Sequence, residues 1–136
     1  MLRTDAAGVH VVRNGDWSTE TAQTAGLPRR AAIWPIESGG QSQGVWVGRV
    51  TGEPGMDSGP HHHGEAETVG YVLSGRFQLL YGEDYSEKVE LGPGDFIYVP
   101  AFVPHIERNL WDEPVEFITV RRPDNIVVNL DPSASE

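Results

Sequence analysis

The sequence contains no cysteine. Disulfides, thiolate metal sites and a cysteine nucleophile are therefore excluded, and any metal must be held by nitrogen and oxygen ligands. Basic residues are scarce: ten Lys and Arg stand against twenty Asp and Glu, for a formal charge of −10. Such a surface repels phosphate backbones and anionic lipid, which argues against nucleic-acid and membrane partners. No apolar run reaches the roughly 18 residues a membrane span needs. Met1–Ala7 has no apolar signal core, so no cleaved leader is expected and the chain reads as cytoplasmic. Helix signals are sparse as well. Ser18–Ala25 begins with a capping serine but has no apolar stripe, and it reads as a loop.

What is present is punctuation. Sixteen glycines and ten prolines separate short stretches rich in Val, Ile, Tyr, Phe and Trp. That pattern predicts an all-β sandwich or barrel. The expected strands are Val9–Arg13, Ala31–Ile36, Gly44–Val50, Thr68–Leu73, Phe77–Tyr81, Glu87–Leu91, Phe96–Val99, His105–Asn109, Val115–Val120 and Ile126–Leu130. The 136 residues fit one domain, 1–136, with loose ends at 1–7 and 131–136. Sheet edges must be hidden, and closing a barrel or doubling into a jelly roll does so.

The densest chemistry lies in Gly55–Glu67, which holds His61, His62 and His63. Side chains alternate along an extended strand, so His61 and His63 share one face and His62 takes the other. Two imidazoles on one face can chelate a single cation, and Glu67 returns after a short turn as a candidate oxygen ligand. Some forty residues on, His105 follows a strand ended by Pro100 and can add a third imidazole. Three nitrogens and an oxygen suit one divalent transition metal: Zn, Fe, Mn, Ni or Cu. His10 reads as an ordinary strand residue and Asn109 as a strand-end turn residue.

These spacings resemble the cupin superfamily. Gly55, His61, His63 and Glu67 follow that family's first motif, G-x5-H-x-H-x3,4-E-x6-G. Gly94, Pro100, His105 and Asn109 follow its second, G-x5-P-x-G-x2-H-x3-N. The resemblance covers Gly55–Asn109 and implies a double-stranded β-helix, the cupin jelly-roll barrel. It also implies metal ligation by His61, His63, Glu67 and His105. There are two departures. Phe102 stands where the second motif has glycine, which suggests an apolar ring at the barrel mouth. The spacing from Glu67 to Gly75 is one residue too long, so counting back from Gly75 puts the carboxylate slot on Thr68. A bulge could turn Glu67 inward. Otherwise three histidines remain, with Thr68 or water beside the metal.

The aromatic residues read first as core. Phe102, Trp46 and Tyr71, with Thr68, are the candidate pocket residues, and His62 is a candidate proton carrier should it turn inward. The resemblance extends to single-domain cupins of the polyketide cyclase type. It implies a metal acting as Lewis acid on a small apolar or aromatic carbonyl compound. An Fe(II) dioxygenase and a non-catalytic small-molecule-binding or regulatory module are the alternatives. A sugar-nucleotide substrate is disfavoured, because Arg and Lys for its phosphates are few. Cupins of this kind pair N-terminal strands, so a homodimer through the segment holding Trp34 and Ile36 is expected.

Overall fold

The computed structural model describes residues 8–131, so the expected loose ends fall outside it except for Asp131. Ten strands form: β1 (Arg29–Ile33), β2 (Trp46–Gly52), β3 (His61–His62), β4 (Glu67–Ser74), β5 (Phe77–Tyr81), β6 (Glu87–Leu91), β7 (Phe96–Val99), β8 (His105–Arg108), β9 (Val115–Arg122) and β10 (Val128–Asn129). They make two five-stranded sheets, ordered β1-β2-β9-β4-β7 and β10-β3-β8-β5-β6. Every ladder is antiparallel. From β2 to β5 and again from β6 to β10, successive strands switch between the sheets, as in a double-stranded β-helix. Among the described residues, no helix is long and apolar enough to cross a membrane.

One expected strand does not form. Val9–Arg13 lies outside both sheets, and Val9 and Val11 are exposed. Val9 and Val11 share one face and both stay exposed, so little burial offsets the cost of ordering the segment. Conversely, β3 is only two residues long and sits among Gly and Pro, a setting without strand signals.

The alternation within single strands divides the barrel interior into two zones. Along β9 the inward residues are Val115, Phe117, Thr119 and Arg121, apolar at one end and polar at the other. β4 runs antiparallel to it, and its inward Thr68, Gly70 and Val72 lie opposite Arg121, Thr119 and Phe117. The two strands therefore match polar with polar and apolar with apolar. Leu27, Val50, Val72, Phe77, Leu79, Leu91, Val115 and Phe117 form the apolar floor. Within it the rings of Phe77 and Phe117 stack at 5.1 Å. Burying each such side chain stabilises the fold by about 1.5–3 kcal/mol. The floor leaves the other end of the barrel free to hold buried polar groups.

Candidate metal centre

His61, on β3, and His105, on β8, lie directly opposite each other across a ladder. His63 follows on the same side as His61, as the two-residue period requires. Their rings come within 4.4–5.2 Å of one another. One ligand atom from each lies within 4.8 Å of the others, and all three residues are buried.

The orientation of the rings is fixed by backbone carbonyls. Nδ1 of His61 donates to Gly59 O at 3.0 Å, Nδ1 of His63 to Ile126 O at 2.7 Å, and Nδ1 of His105 to Val103 O at 2.9 Å. A carbonyl oxygen only accepts, so each Nδ1 carries a proton, and in the neutral ring Nε2 is left with a lone pair for a metal. This is the arrangement that orients histidines around a metal. Nε2 of His61 is buried without a hydrogen-bond partner, an orphan that a cation would satisfy. Burial, then the nearby positive charges, pushes the His63 pKa down to about 2. Burial also lowers His105 to about 4. Both rings therefore stay neutral, as metal ligands must be. The donor set fits a divalent transition ion.

Glu67 does not join the cluster. It is on the outer face of β4, where Tyr98 donates to Oε1 at 2.8 Å and Arg122 contacts Oε2 at 3.2 Å. The Tyr98 hydrogen bond, with help from Arg122, holds its carboxyl below the usual range. The inward residue is Thr68, as the count back from Gly75 gives. Thr68 does not face the histidines as a ligand, because its Oγ1 accepts from Arg121 Nε at 3.0 Å.

Two residues that the sequence reading passed over enter the site. Glu107 Oε1 lies 3.1 Å from His61 Nε2 and 3.7 Å from His105 Nε2. Burial pushes its carboxyl up, but the contact with His61 outweighs that and holds it below the usual range. Arg121 donates through Nη2 to His63 Nε2 at 3.1 Å and through Nη1 to Asn125 at 2.9 Å. Arg29 reaches the same Asn125 oxygen at 3.2 Å, and its Nε is buried without a partner. Burial lowers Arg121 to about 9 and Arg29 to about 10, so both stay charged at neutral pH. Few as they are, the basic residues thus place two guanidiniums inside the barrel. Glu107 had a legible signal: it stands to His105 as His63 stands to His61, two residues on along a strand. Arg121 had a weaker one, since the strand expected at Val115–Val120 stops one residue short of it.

The remaining candidates are dispersed. His62 points away from the three imidazoles: its Nδ1 accepts from Gly64 N–H at 2.9 Å and its ring lies 5.9 Å from that of Phe102. Phe102 is 63% exposed at φ +62°, so it does not line the interior. That left-handed conformation explains why the motif favours glycine there. Trp46 is buried beneath Arg121, whose guanidinium sits 5.8 Å from its ring centroid, and its indole donates to Thr21. Tyr71 faces outward against Phe96, with ring centroids 4.6 Å apart. A cavity of about 470 Å³ instead opens between edge strands β6 and β7. It is lined by Leu79, Tyr81, Val89, Leu91, Ile97, Val99 and Val103, and reaches His105.

A barrel of two antiparallel sheets with convergent imidazoles from a His-x-His strand and a later His strand defines a cupin architecture. The cupin-domain family matches residues 48–121, more than half the chain, and this chain belongs to it. No curated protein matches it by sequence. Among solved structures, the polyketide cyclase RemF from Streptomyces resistomycificus superposes with a TM-score of 0.72 at 24% identity, covering 93% of this chain and 89% of that one. Oxalate decarboxylase from Bacillus subtilis superposes at 0.67 and 25% identity over 82% of this chain, which spans only 29% of that enzyme's length. KdgF from Halomonas sp. gives 0.64 and 22% identity, with 84% and 94% coverage.

Proposed function

We propose that this cupin is a metal-dependent enzyme acting on a small, largely apolar carbonyl compound, in the manner of a cyclase. The observation that carries the reading is the convergence of three Nε2 lone pairs, each locked by an Nδ1–H donated to a backbone carbonyl. His61, His63 and His105 would hold the ion. An ion held there would supply Lewis acidity toward a carbonyl oxygen.

The chain's own groups suit that chemistry. Arg121 Nη2 is aimed at the same centre and is fixed by Thr68 and Asn125. A guanidinium held there donates to an oxygen that gains negative charge, and it costs no reorganisation as the charge grows. The largely apolar cavity walls suit the body of such a substrate. A polyketide cyclase of matching length and fold among the similar structures supports the choice of substrate class.

The test is exchange of α-protons for deuterium in small aryl ketones and β-diketones, followed by NMR with metal-loaded and chelator-treated protein. Metal-dependent exchange that disappears in His63→Ala supports the reading. Oxygen consumption with bound iron and no exchange would replace it with the dioxygenase, and tight ligand retention without either would replace it with a binding module. The proposal includes a homodimer, supported by Ile36, which is 57% exposed just beyond edge strand β1.

A further inference from the structure

We propose that Glu107, and not Glu67, supplies the oxygen ligand of the metal centre, so that the carboxylate has moved from the first motif strand to the second. The inference rests on the metal-centre reading above.

The register of β4 excludes Glu67. Thr68 lies opposite Val99 on one side and Arg121 on the other, with Gly70 and Val72 inward in step. Bringing Glu67 inward would need a one-residue slip, which would turn Thr68, Gly70 and Val72 out of the barrel. The corner beside Thr68 is also taken, because the Arg121 guanidinium reaches from there to His63.

Glu107 is placed where a ligand belongs. It shares the inward face of β8 with His105, and its side chain is 12% exposed. Two donor atoms each about 2.1 Å from one ion are separated by about 3.0 Å at a right angle and about 3.4 Å at the tetrahedral angle. The carboxylate oxygen lies 3.1 Å and 3.7 Å from the Nε2 atoms of His61 and His105. Glu107 Oε1 therefore stands at ligand spacing from His61 Nε2, a buried nitrogen aimed at the same centre as the other two imidazoles.

The experiment is competition for Zn(II) against a chromophoric chelator, together with the visible spectrum of the Co(II) form. Wild type is compared with Glu107→Gln, Glu107→Asp, Glu67→Gln and His63→Ala. Glu107→Gln is expected to weaken binding about tenfold or more and to alter the Co(II) bands. Glu107→Asp keeps the charge but draws the oxygen back, and is expected to fall between it and wild type. Glu67→Gln is expected to stay within about twofold of wild type. Melting curves show whether each variant is folded, and the Asp variant serves if the Gln variant is not. Wild-type affinity in both Glu107 variants, or a loss in Glu67→Gln matching that expected at 107, overturns the inference. If wild type binds no metal, the metal-centre reading itself fails. If it binds through His63 but is indifferent to residue 107, only this inference fails.

Discussion

Arg121 Nη2 lies 3.1 Å from His63 Nε2, so a buried guanidinium and an imidazole of the candidate metal cluster meet at one atom. The guanidinium and a cation compete for the same lone pair. The Arg121 charge also opposes any ion placed there, and Glu107 offsets it in part. A guanidinium in that position suits the proposed function, in which a substrate oxygen gains negative charge.

Neutralising that charge separates binding from activity. Arg121→Gln is expected to tighten Zn(II) affinity by about tenfold, because a buried like charge is removed. The same variant is expected to lose α-proton exchange. Chelator competition and NMR exchange on one preparation check both. Unchanged affinity would show that Arg121 does not share the ion's surroundings.

Removing an imidazole tests the cluster directly. His63→Ala and His105→Ala, purified without added metal or a histidine tag, are expected to retain less than about a tenth of the wild-type metal by elemental analysis. Equal metal in all three proteins would remove the basis for the catalytic reading.

Acid should unfold the metal-free protein early. His105 titrates near 6.5 in an unfolded chain but is lowered to about 4 in the fold, chiefly by burial. Between these values the unfolded state binds more protons. Stability is therefore full above about 6.5 and is lost as pH falls toward 4. The His105 contribution alone amounts to up to about 3 kcal/mol. Chelator-treated protein is expected to show a Tm that drops steadily from pH 7 to pH 4.5, and a flat profile would contradict the burial argument.

Phe102 holds a backbone conformation that a bulky side chain resists, at φ +62°. With its ring largely in solvent, Phe102→Gly is expected to stabilise the fold by about 1 kcal/mol. Chemical denaturation measures this. A destabilised variant would show that the contact between the Phe102 and His62 rings outweighs the strain.

The proposed homodimer predicts a light-scattering mass of twice 14.9 kDa at micromolar concentration, and Ile36→Glu should halve it. A wild-type mass of 14.9 kDa would dismiss the dimer.

The residue order alone determined the all-β class, because Gly and Pro punctuation and a two-residue period are local properties. β5, β6 and β7 stand at the bounds that pattern predicts. Local alternation also put His61 and His63 on one face, and motif spacing brought in His105. Tertiary structure alone decided the rest of the site. Whether Glu67 or Thr68 faces inward depends on the pairing of β4 with β7 and β9, a register set by strands distant in sequence. Arg29 and Arg121 become interior charges because ladder partners pin them facing Val50 and Thr68. Glu107 meets His61 because β8 lies beside β3. Local periodicity says which residues share a face, but only the packed sheets say what that face meets.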